Sequence, residues 1–167
     1  MKKGKQLPKT LKLFNFAKKE VNLHGEYTIS SMPRVSEIVK NHNDIVEVDL
    51  SFHLDNGKTP CVKGIINLKV VVDCQKCLDD LEIDLDIPFK LAFVEFEDQA
   101  VGLDNCYEIY NIGEVEDLET IDLITDEILL SIPMVPSHNF VCGLKVNQEK
   151  IVEEVRKHPF DVLKNLK

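Results

Sequence analysis

Ile45-Val46-Glu47-Val48-Asp49-Leu50-Ser51-Phe52-His53-Leu54 decides how this chain is read. Val46, Val48, Leu50, Phe52 and Leu54 alternate with Glu47, Asp49, Ser51 and His53. Successive side chains of a strand point to opposite faces, so this pattern predicts a strand with one face buried. Asp55-Asn56-Gly57-Lys58 follows, and Asn-Gly between alternating runs is a hairpin signal because both residues tolerate positive φ. A second strand is predicted near 61–73, with Ile66, Leu68, Val70 and Val72 on one face. A third is predicted near 81–94, where Leu81, Ile83, Leu85 and Ile87 alternate with Glu82, Asp84 and Asp86. Pro88 cannot donate to a ladder, so it predicts an edge or a bulge at that point.

Outward from this meander the helical signals are short. Val35, Ile38 and Val39 suit a helix near 34–41. Ile121, Ile124, Ile128 and Ile132 share one helical face near 120–132, with Asp122, Asp126 and Glu127 on the other, and Pro133 ends the helix. Two more helices are predicted near 147–157 and 159–166, carrying Ile151 and Val155, then Phe160, Leu163 and Leu166. The region 95–118 is acidic and irregular, with one strand expected near Tyr107–Ile109. The expected class is α+β: an antiparallel strand meander or partial barrel with helices at its ends.

The chain has 167 residues and a net charge of -9, unevenly spread. Residues 1–19 hold seven Lys and no acid, whereas Leu91 to Leu144 holds twelve acids and no Lys or Arg. This predicts a basic N-terminal arm over 1–19, solvated in the plainest reading, and a single acidic α+β domain over 20–167. Lys2, Lys3, Lys5, Lys9, Lys12, Lys18 and Lys19 form the dense positive cluster that could release counterions from nucleic acid. No apolar run has the roughly 18 residues of a membrane span. The opening segment lacks the apolar core and cleavage site of a secretory signal. The expected location is the cytoplasm.

Five cysteines, an odd number, argue against a disulfide framework in such a chain. Cys74-Gln75-Lys76-Cys77 falls in the turn between the second and third strands. A hairpin lacks the helix N-terminus that activates a thioredoxin-type thiol, but it suits a metal knuckle. His138 and Cys142 could complete a Cys₃His set holding one structural zinc. The alternative is two half-buried thiols and an ordinary loop histidine. Cys61 and Cys106 are expected to be small core residues. His24, His42, His53 and His158 are expected in surface or capping roles. No nucleophile elbow, zincin, P-loop or dinucleotide fingerprint is present, so no catalytic residue is singled out and a non-enzymatic role is expected.

Several segments together resemble one family. They are Leu7-Pro8-Lys9-Thr10-Leu11, Gly25-Glu26-Tyr27, Cys74-Gln75-Lys76-Cys77 and Ile121-Asp122-Leu123. Then come Asp126-Glu127-Ile128-Leu129-Leu130-Ser131-Ile132-Pro133-Met134-Val135-Pro136-Ser137-His138, Cys142 and the ending His158-Pro159-Phe160. In this order they resemble the YceD family, with His158 standing where that family has Asn. The resemblance implies a bacterial factor in the synthesis, processing or stability of large-subunit (23S-type) ribosomal RNA. Its partner would be that RNA or a pre-ribosomal particle. A second role, of another class, is an acidic escort for a basic ribosomal protein. A thiol-dependent or metal-dependent enzyme is the third.

Overall fold

The computed structural model describes residues 7–55, 58–96, 100, 102–113, 118–140 and 142. Three long antiparallel strands dominate it: β3 (Ile45–Asp55), β4 (Thr59–Asp73) and β5 (Asp80–Val94). Their alternation is the expected one, with Val46, Val48, Leu50 and Phe52 of β3 and Ile66, Leu68, Val70 and Val72 of β4 all buried. Asn56 and Gly57 of the predicted turn lie outside the described residues, as do the helices expected at 147–157 and 159–166.

β2 (Asn22–Thr28) and β6 (Glu108–Asn111) complete a five-stranded sheet of order β2-β3-β4-β5-β6. The sheet is open, not a closed barrel, and one pairing departs from the expected antiparallel meander: β6 runs parallel to β5. A parallel neighbour requires a longer connection than the tight hairpin that joins antiparallel strands. Pro88 sits opposite Ile65 in an unbroken register, on a part of β5 that β6 does not reach. It is therefore at an edge and not at a bulge.

The segment read as a solvated arm joins the core from Leu7 onward. β1 (Thr10–Leu11) pairs with β7 (Leu118–Glu119) in a small second sheet. α1 (Leu13–Lys18) then packs on β3 and β4. Leu7, Leu11, Leu13 and Ala17 are buried while the lysines between them stay in water. The segment is dense in charge, but its short apolar face is what holds it. α3 (Thr120–Ser131) leans on β5, and its buried Thr120 ties the segment down. The Thr120 hydroxyl donates to the carbonyl of Pro8 at 2.5 Å and its amide to that of Lys9 at 2.9 Å.

α2 (Pro33–Ser36) is shorter than the helix expected near 34–41 and is linked to α3 by Arg34–Asp126 at 2.5 Å. On α3, Ile124 and Ile128 are buried as expected, joined by Leu123. Glu127, assigned to the polar face, is only 8% exposed. Its carboxyl pKa is raised by burial, then by the charges of Glu108 and Asp126.

Candidate metal centre

β4 ends at Asp73 and β5 begins at Asp80, and the six residues between form a compact knuckle. The amide of Leu78 donates to the carbonyl of Cys74 and the amide of Cys74 to that of Asp79, both at 2.9 Å. Leu78 closes the turn with a φ of 64°, a left-handed conformation unusual for leucine. The loop after α3 is fastened alongside, because Gln75 donates its amide to the carbonyl of buried Pro136 at 2.8 Å. That bond carries His138 and Cys142 to the knuckle.

All four predicted ligands converge. The three sulfurs and one His138 nitrogen lie within 4.8 Å of one another. Cys74 Sγ and Cys142 Sγ are 3.6 Å apart, and Cys77 Sγ is 3.4 Å from His138 Nδ1. Two thiolates about 2.3 Å from one tetrahedral ion stand about 3.8 Å apart, so these edges fit such an ion. His138 Nε2 is 3.2 Å from the carbonyl of Asp80, which can only accept. The ring proton therefore sits on Nε2, leaving the Nδ1 lone pair for the ion, with the orientation that ligating histidines receive from their outer partners.

The sulfurs are electrostatically prepared. Burial opposes ionisation of Cys74. The amides of Lys76, His138 and Cys77, with the Cys77 thiol, outweigh it and hold the Cys74 pKa down to about 5. Cys77 has one amide in its favour, from Asp79. Burial and competition with Cys74 and Cys142 push its thiol up to about 12. Without an ion, the surrounding amides favour the thiolate at Cys74, and competition for the same site favours the thiol at Cys77. An ion would offset the repulsion and let both ionise. Four protein ligands fill a tetrahedral site and leave no position for water or substrate, which is the arrangement of a structural centre.

The remaining cysteines differ from one another. Cys61 is fully buried, with burial raising its pKa to about 11. Cys106 is exposed, contrary to the expected core role, because it lies in a turn of the 102–107 segment and not on a strand face. His24 pairs with Asp49 at 2.7 Å on the exposed sheet face, and His42 bonds the carbonyl of Val39 at 2.9 Å. His53 meets the Tyr107 hydroxyl at 2.8 Å.

Of the lysines predicted to meet RNA, Lys12, Lys18 and Lys19 are exposed around α1, beside the 52% exposed Phe14. Lys9 is also exposed, 3.8 Å from Glu119 across the β1–β7 pair. Lys2, Lys3 and Lys5 lie outside the described residues. Among the described residues no helix is long and apolar enough to cross a membrane.

Fold and site together define an α+β protein whose open sheet is joined to the loop after α3 by a Cys₃His cluster able to hold a metal ion. The chain belongs to the YceD family: the family model described as "Large ribosomal RNA subunit accumulation protein YceD" matches residues 62–167. The protein of that name from Haemophilus influenzae is 31% identical over 168 residues, covering 97% of each chain. No solved structure matches the chain.

Proposed function

We propose that this chain is a non-enzymatic cytoplasmic factor supporting the accumulation of large-subunit ribosomal RNA, through its synthesis, processing or stability. The observation that carries the reading is similarity along 97% of both chains to a protein named for large ribosomal RNA subunit accumulation. The cluster of Cys74, Cys77, His138 and Cys142 supports the non-enzymatic part, since a closed centre holds a fold together and offers no open coordination position. Its donor set, three thiolates and one imidazole, suits zinc. The exposed lysines around α1 are the surface offered to RNA phosphates.

Deletion of the gene tests the function. Large-subunit RNA should fall relative to small-subunit RNA and recover when the full chain is returned. An unchanged ratio would overturn the proposal. Elemental analysis of the purified chain should find about one zinc per molecule.

A further inference from the structure

β5 is paired along one side for nearly its whole length and along the other only at its end. Its register with β4 runs from Asp80 opposite Asp73 to Ala92 opposite Cys61, while β6 pairs with it only from Leu91, opposite Glu108, onward. Two hydrogen bonds fix which backbone groups face away from β4. The carbonyl of Asp80 accepts from His138, and that of Val94 accepts from the amide of Ile112 at 2.9 Å. The direction alternates along a strand, so the amides and carbonyls of Glu82, Asp84 and Asp86 point the same way. Among the described residues nothing pairs with them. Pro88, next in this set, has no amide to offer, and it marks where the open edge stops.

The side chains along this edge are sorted. Glu82, Asp84 and Asp86 are exposed on one face, with Lys69 answering the first two at 3.6 and 3.5 Å. On the other face Leu81 and Ile83 are half-buried, and together with Glu82, Asp84 and the 133–140 loop they line a cleft of about 660 Å³ that is apolar at Pro133, Val135 and Phe140 and polar at Ser137 and Asn139. Val135 and Phe140 are 69% and 66% exposed. An open, partly apolar strand edge is a template for another strand. Its own charges decide which strand it accepts.

We infer that the edge from Leu81 to Ile87 binds, as an added strand, an extended protein segment in which basic and aliphatic residues alternate. The aliphatic side chains enter the cleft beside Leu81 and Ile83, and the basic ones lie beside Glu82, Asp84 and Asp86. A slip of one residue would set the basic side chains beside Leu81 and Ile83 and the aliphatic ones beside Glu82, Asp84 and Asp86, so the register is specified. Main-chain bonds supply affinity and the alternating side chains supply selection, as in other strand-addition complexes. His138 on Asp80 closes one end and Pro88 the other, leaving room for about seven residues at ordinary strand rise. The inference rests on the proposed function only for its setting, in which such segments belong to Lys/Arg-rich proteins of the large subunit.

The test uses the full metal-loaded chain and a labelled peptide of alternating Lys and Val, seven residues long. Fluorescence anisotropy should report salt-sensitive binding, at least tenfold weaker for a copy N-methylated on its ladder-facing amides and for an alternating Glu and Val copy. Combined E82Q, D84N and D86N, all at exposed positions, should weaken it by a similar factor. Hydrogen exchange should show the amides of Glu82, Asp84 and Asp86 fast in the free chain and slowed by the peptide. Equal binding of the N-methylated copy overturns the inference, as does an absence of binding. Protection of those amides without peptide also overturns it: if independent of concentration, residues 143–167 cover the edge, and if it grows with concentration, a second copy does. The RNA ratio after gene deletion is a separate measurement, so either proposal can fail while the other stands.

Discussion

Gly64 of β4 lies opposite Phe89 of β5, and the Phe89 ring covers the place where a side chain would begin. A Cβ on Gly64 would stand 2.0 Å from that ring. Phe89 is itself only 6% exposed, so it cannot swing away without disturbing the core. Gly64→Ala is expected to destabilise the fold by about 1–3 kcal/mol, as overpacking does elsewhere. Combining it with Phe89→Leu should cost less than the two changes added together, because the pair shares one space. Denaturant melts of the single and double variants would show this coupling, and strict additivity would refute it.

Glu127 makes a residue-scale prediction of opposite sign. Its folded-state pKa lies above the ordinary carboxylate value, so the fold prefers the protonated form. The stability it contributes is present in acid and is lost as pH rises through the raised value. Glu127→Gln should therefore raise the unfolding temperature at pH 7, by roughly 2–4 °C for each kcal/mol recovered. The advantage should shrink as pH is lowered through the carboxylate range. An advantage independent of pH would locate the effect in packing and not in charge.

At the scale of elements, the knuckle and the loop after α3 are joined by Gln75 to Pro136 and, once loaded, by the ion. Cys77→Ser should lower stability by several kcal/mol and abolish stoichiometric zinc, whereas Cys106→Ser at an exposed turn should stay within about 0.5 kcal/mol of the parent. Similar melting curves for the two variants would remove the centre from the account of stability. The long strands were legible in sequence because a buried face imposes alternation along the strand, as from Val46 to Leu54. α3 was legible from Ile124 and Ile128. β1 and β7 were not, since two-residue strands carry no periodicity, and β2 was hidden because Gly25 interrupts the alternation of Leu23 and Tyr27. The four candidate ligands were legible by residue type and spacing. Their meeting was not, because the loop is held at the knuckle through backbone carbonyls, those of Pro136 and Asp80, that no side-chain pattern encodes.

For the whole molecule, charge is divided between a lysine-bearing surface at α1 and an acidic remainder. If four to six phosphates are contacted, log affinity for large-subunit RNA should fall with log salt at a slope of roughly -3 to -5. Replacing Lys12, Lys18 and Lys19 together by Gln should flatten that slope by about 2–3. The exposure of these side chains leaves the fold undisturbed by the change. A slope that does not move would place any RNA contact elsewhere.

The bond from Thr120 to Pro8 spans 112 residues, and β1 has its strand partner beside it at Leu118–Glu119. On the ribosome, the beginning of this chain emerges long before the residues that will receive it. At ordinary elongation rates of about 5–20 residues per second, the wait lasts roughly 5 to 20 s. Throughout that interval Leu7 and Leu11 lack the β7 and α3 contacts that help bury them, while the meander between them can already zip from hairpin to hairpin. The nascent protein is thus expected to form its sheet, with α1 docked on β3 and β4, before Leu7 and Leu11 gain their last cover, and a chain released before Thr120 would keep that short stretch only partly covered.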